Sequence, residues 1–154
     1  MKTLSGLIVA ASILFTASSG YAETPHGHEH AFVGGPKGGR FLEHTEPRAE
    51  FFVEKDLSVT VAFYDQELKP AAATEQSVFV IAETGGKKTT LDFEKKGDVL
   101  VSKGTLPQEP ALNLVVRFKQ APADKTRNFR FVYEDHICGD CQRAEYACTC
   151  GHGA

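Results

Sequence analysis

From Arg40 to Tyr133 the chain is a succession of short β-forming runs broken by turn residues, and no stretch carries the 3.6-residue period of an amphipathic helix. That pattern confines this part of the chain to an all-β fold. The clearest run is Leu57–Tyr64, where Leu57, Val59, Val61 and Phe63 alternate with Ser58, Thr60, Ala62 and Tyr64. Six others are Ala49–Val53, Ser77–Ala82, Thr89–Phe93, Val99–Ser102, Leu112–Phe118 and Asn128–Tyr133. Thr84-Gly85-Gly86-Lys87 and Lys95-Lys96-Gly97-Asp98 read as hairpin turns. About seven short strands at this spacing predict a small antiparallel β-sandwich. Leu57, Val59, Val61, Phe63, Leu91, Phe93, Leu112, Leu114 and Val116 are the expected core, and Arg117 and Arg130 are expected on the solvent face.

All four cysteines lie beyond this region, in a C-x-x-C pair (Cys138, Cys141) and a C-x-C pair (Cys148, Cys150), with His136 before them and His152 after. Thiolates are strong ligands for Zn(II) and Cu(I), and four sulfurs, or sulfurs with imidazoles, complete a tetrahedron. A gap of six residues between the pairs is shorter than in a zinc ribbon or finger and allows only a compact knuckle. Gly139 and Gly151 are expected to relax the backbone at its corners, and His136 and His152 are spare ligands. Two other readings stay open. Four cysteines also form two disulfides, with a bridge between the pairs less strained than one within C-x-C. C-x-x-C is also a redox spacing, although the βαβ surroundings of such motifs are missing.

Residues 1–22 read as a secretory leader: Lys2 supplies the charged start, Leu4 to Phe15 the apolar run, and Gly20-Tyr21-Ala22 the cleavage site. The competing reading is a buried apolar helix. Cleavage after Ala22 leaves a mature chain of about 132 residues, enough for one domain with its own core. It is expected to be periplasmic, with no transmembrane segment. Loss of Lys2, the leader's one charged residue, takes the formal charge from −3 to −4, which argues against a nucleic-acid partner.

The mature chain then opens on a His/Gly-rich flexible segment, 23–39, in which His26, His28 and His30 alternate around Glu29. Imidazoles at this density bind Zn(II), Cu(II) or Ni(II), and a solvated tail with incidental histidines is the bland alternative. His26 would be fourth in the mature chain, so the amino-terminal copper motif, with histidine third, is absent. Gly34-Gly35-Pro36-Lys37-Gly38-Gly39 lacks the phosphate-loop pattern and reads as a turn-rich approach to the first strand. The domain proper is 40–133 and the Cys/His-rich tail 134–154.

Taken in order, Gly34–Arg40, Ala49–Val53, Val59–Asp65 with Lys69-Pro70, Gly85–Lys88, the Leu91–Lys103 hairpin and Leu112–Phe118 resemble a small periplasmic β-domain. That domain is associated with adaptor proteins of heavy-metal efflux pumps of the resistance–nodulation–division type. The resemblance covers about residues 34–133 and implies a periplasmic domain near heavy-metal handling, with a membrane efflux complex as partner. It carries over no ligand residues, and the cysteine tail lies outside it. The functional expectation is a metal-binding buffer, chaperone or efflux accessory with Zn(II) or Cu(I) at Cys138, Cys141, Cys148 and Cys150. The alternative is an interaction module with a disulfide-stapled or structural-zinc tail. No G-x-S-x-G elbow or H-E-x-x-H helix is present, so no enzyme is expected.

Overall fold

The computed structural model describes residues 34–42 and 46–150. Residues 1–22, expected to be a leader, the His26–His30 tract and His152 lie outside the described residues.

Nine strands are present among the described residues: β1 (Arg40–Phe41), β2 (Arg48–Val53), β3 (Ser58–Tyr64), β4 (Pro70–Ala71), β5 (Ser77–Thr84), β6 (Lys87–Lys96), β7 (Val99–Thr105), β8 (Leu112–Lys119) and β9 (Arg127–Tyr133). The seven expected runs are β2, β3 and β5–β9, and the two additions are two-residue strands, too short to show a period. Every pairing between the strands is antiparallel, in the order β1-β2-β3-β7-β6-β5-β8-β9, with β4 paired to β3.

The all-β antiparallel class is as expected, and the layering is that of one curled sheet, a half-barrel. The reason lies in β6. Its first part, Lys87–Asp92, pairs with β5, and its second, Phe93–Lys96, pairs with β7. Hydrogen bonding therefore passes unbroken from one half of the sheet to the other. Tight turns on either side keep this long strand in register: Gly85 and Gly86 both take positive φ (52° and 77°), as does Gly97 (61°), a conformation that costs glycine little.

Inside the curl lie Val59, Val61, Phe63, Val80, Leu91, Leu112, Leu114, Val116 and Phe118, all buried. Leu57 and Phe93 are only partly buried. Leu57 sits in the β2–β3 turn at φ 65°, so the alternation starts one residue later than its side chain suggests. The outer face of β3 is covered too, because Ala62 and Tyr64 pack with Phe41 of β1. Arg117 and Arg130 are exposed.

The glycine-rich loop before β1 wraps a carboxylate. Glu50 is fully buried and accepts hydrogen bonds from the backbone N–H groups of Lys37 (3.2 Å) and Gly39 (2.7 Å). Without those donors a buried carboxylate would be strongly destabilising. A Cβ on Gly35 would fall onto the Glu50 carboxyl group, so the glycine permits the close approach. Among the described residues no helix is long and apolar enough to cross a membrane.

Burial ranks the substitutions. Phe63→Ala, deep in the curl, should cost about 3–5 kcal/mol, and Val132→Ala, on an exposed side chain, should change stability by less than about 0.5 kcal/mol. Urea unfolding of the two variants checks this, and equal losses would contradict the assigned core.

Candidate metal centre

β9 ends at Tyr133 and leads within five residues to Cys138. The segment that follows folds on itself. Ile137 and Ala144 form an isolated antiparallel bridge, Cys138 N–H donates to Arg143 O (2.7 Å), and Gln142 N–H donates to Cys138 O (3.0 Å). These bonds bend the C-x-x-C stretch into a tight turn. The left-handed residue in it is Gln142, at φ 58°, and not Gly139, where the sequence suggested relief. A single 3-10 turn, Glu145–Ala147, then carries the chain across to the second pair.

The two turns converge the thiols. The Sγ atoms of Cys138, Cys141, Cys148 and Cys150 all lie within 4.8 Å of one another. Individual separations are 3.5 Å for Cys138–Cys148, 3.7 Å for Cys141–Cys148 and 3.9 Å for Cys138–Cys150. Zinc–thiolate bonds of about 2.3 Å in a tetrahedron set sulfur–sulfur edges of about 3.8 Å. The observed spacing matches such edges, whereas a disulfide brings its sulfurs to about 2 Å. The four cysteines, present as free thiols, can hold one metal ion. Four thiolates would complete a tetrahedron from protein ligands alone.

His136 does not join them. Its exposed ring lies between Glu134 (4.0 Å) and Glu145 (3.9 Å), and among the described residues the sulfur cluster comprises the cysteines alone.

The thiols are electrostatically unequal. The Thr149 backbone N–H stabilises the Cys141 thiolate; against the opposing effect of burial, and with help from the Arg143 N–H and the Cys150 and Cys148 thiols, it lowers Cys141 to about 6. Cys150 is raised, by burial first and then by its contacts with the other three sulfurs. Cys148 has the Cys150 N–H on its sulfur (3.4 Å), which favours its thiolate, but burial and the contacts with Cys138 and Cys141 outweigh this and raise it. Thiolate character is therefore favoured at Cys141, and the protons held by Cys148 and Cys150 must leave when a metal enters.

The residues that seat this knuckle were not singled out from the sequence. Tyr146, in the gap between the two cysteine pairs, is buried against Tyr133 (ring centroids 5.3 Å apart), Phe51 (6.4 Å) and Phe131 (6.5 Å). Its hydroxyl accepts a hydrogen bond from Val53 N–H (3.0 Å), and its carbonyl accepts one from Arg40 (3.3 Å). Burial raises the Tyr146 phenol to about 12. Arg143 donates to Gly35 O (3.1 Å) and so ties the knuckle to the glycine-rich loop. The available signal was a lone aromatic residue between ligand pairs, with Ala144 two positions before it and Ala147 directly after.

No protein-family model, no curated protein and no solved structure matches this chain.

The pKa order sets a reactivity order. Because the folded Cys141 lies below the ordinary thiol range, the stabilisation of its thiolate is complete above that range and is lost as pH falls through about 6. In reduced, metal-free protein, iodoacetamide should modify Cys141 first at pH 7, with a rate that titrates near 6, and Cys150 only at much higher pH. Peptide mass mapping reads this, and uniform labelling of the four would contradict the assigned order.

Proposed function

We propose that the protein is an exported metal-binding protein of the cell envelope, in which Cys138, Cys141, Cys148 and Cys150 hold a single Zn(II) ion. The observation that carries the reading is the convergence of the four sulfurs at tetrahedral-edge spacing. Zn(II) and Cu(I) both take thiolates, and the all-sulfur tetrahedron favours Zn(II). The leader-like residues 1–22 support a periplasmic location. The resemblance of residues 34–133 to the efflux-associated β-domain supports a role as metal buffer, chaperone or accessory beside an efflux complex. His26, His28 and His30 would add a looser site.

A second reading has its own observation. The knuckle is packed into the sheet through buried Tyr146, as expected of a structural zinc that shapes a docking surface on an interaction module. The two readings differ in exchange: a buffer or chaperone releases its metal to a competing chelator within its working time, and a structural centre does not.

Native mass spectrometry of protein purified from the periplasm tests the metal site. The expected mass begins at Glu23 and includes one zinc, and a variant with all four cysteines changed to serine lacks the zinc. A mass four hydrogens short with no metal would mean two disulfides and would overturn the proposal. Because protons must leave Cys148 and Cys150 on binding, zinc affinity should rise with pH, and equilibrium dialysis from pH 6 to 8 should show that slope.

A further inference from the structure

The two ends of the curled sheet, β1–β2 and β9, are not hydrogen-bonded to each other. They approach closely all the same. The Phe51 and Phe131 rings meet edge to face at 5.5 Å, and the Arg40 guanidinium lies 4.9 Å over the Phe131 ring. Tyr146 enters this seam from the knuckle. It touches rings on both sides, and its two polar groups take hydrogen bonds from β1 and from the end of β2. It is also placed between the second and third cysteines, three residues after Arg143 and two before Cys148.

From this placement we infer that Tyr146 is a positioning residue for the metal centre, a latch that couples metal occupancy to closure of the half-barrel seam. The inference rests on the metal-binding reading above. Between Cys141 and Cys148 the only regular structure is one 3-10 turn. A segment that short has little intrinsic order, so bringing two ligand pairs together from a loose chain carries an entropic cost. Docking of Tyr146 meets much of that cost in advance, because it fixes the middle of the gap against a rigid sheet. Coupling of this kind is reciprocal: if docking tightens metal binding, metal binding holds Tyr146 in the seam by the same factor.

A purely structural role for Tyr146 makes a different forecast. An aromatic residue that only fills the seam would destabilise the metal-free and metal-bound proteins equally when removed, and would leave zinc affinity unchanged.

The test uses the mature chain, zinc ion alone, and a competing chelator to read affinity. Tyr146→Ala should weaken zinc binding about tenfold to a hundredfold, in the range usual for coupled sites. Tyr146→Phe keeps the ring and loses the Val53 N–H partner, and should weaken it about threefold to tenfold. Val80→Ala, in the buried core of β5, should lower the melting temperature and leave zinc affinity unchanged. In the wild-type chain, zinc should slow hydrogen exchange at the Val53 amide, and in Tyr146→Ala it should not. Should Tyr146→Ala fail to fold, Tyr146→Phe and the Val53 amide decide. Wild-type affinity in the tyrosine variants overturns the latch alone. Absence of zinc uptake by the wild-type chain overturns the metal reading and the latch with it.

Discussion

A curled sheet that stops short of closing has an apolar interior and nothing to cover it along one side. That constraint organises this molecule. The interior faces of β3, β5 and β8 are closed to solvent, with Val59, Val61, Val80 and Val116 fully buried, yet β1 and β9 share no backbone hydrogen bonds. The gap is sealed by side chains: Phe51 against Phe131, Arg40 over the ring of Phe131, and Tyr146 inserted from the segment beyond β9. Aromatic rings suit such a seam because they bury a large area with few rotatable bonds. The tyrosine hydroxyl and carbonyl also satisfy donors on the strands they meet.

The same arrangement explains where the cysteines stand. Cys141 and Cys148 stand at either end of a segment that buried Tyr146 and Ala147 hold against the sheet, and the four sulfurs gather within 4.8 Å of one another. Four like charges at this spacing would repel strongly, and Cys148 and Cys150 accordingly hold their protons more tightly than an ordinary thiol while thiolate character is favoured at Cys141. A divalent cation held there would reverse that balance, because each thiolate would then face a positive charge within bonding distance.

Strand positions were legible in the sequence because a half-buried strand writes a period of two, which β5 and β8 keep in their burial, while β2 and β3 are covered on both faces and were legible from their β-forming residues. Curvature was not legible. It comes from β6, whose lysine-rich ends, Lys87-Lys88 and Lys95-Lys96, look like turn residues although they continue the ladder. That continuity turns an expected sandwich into one curled sheet. At the site, the four cysteines were legible from spacing alone. The anchoring by Tyr146 and Arg143 depends on contacts with residues about a hundred positions away, and the left-handed corner at Gln142 and the stand-off of His136 between two glutamates appear only once the knuckle has folded on itself. No local pattern encodes those contacts. Glu50 is similar, since its burial is understandable only once the glycine-rich loop is folded around it.

The central claim is that the four cysteines form one tetrahedral, all-sulfur centre. X-ray absorption at the zinc edge on the zinc-loaded mature protein tests it most directly. Four sulfur scatterers in a single shell at about 2.3 Å are predicted. A shell containing nitrogen or oxygen scatterers near 2.0–2.1 Å would contradict the claim, because it would place His136, His152 or the His26–His30 tract among the ligands.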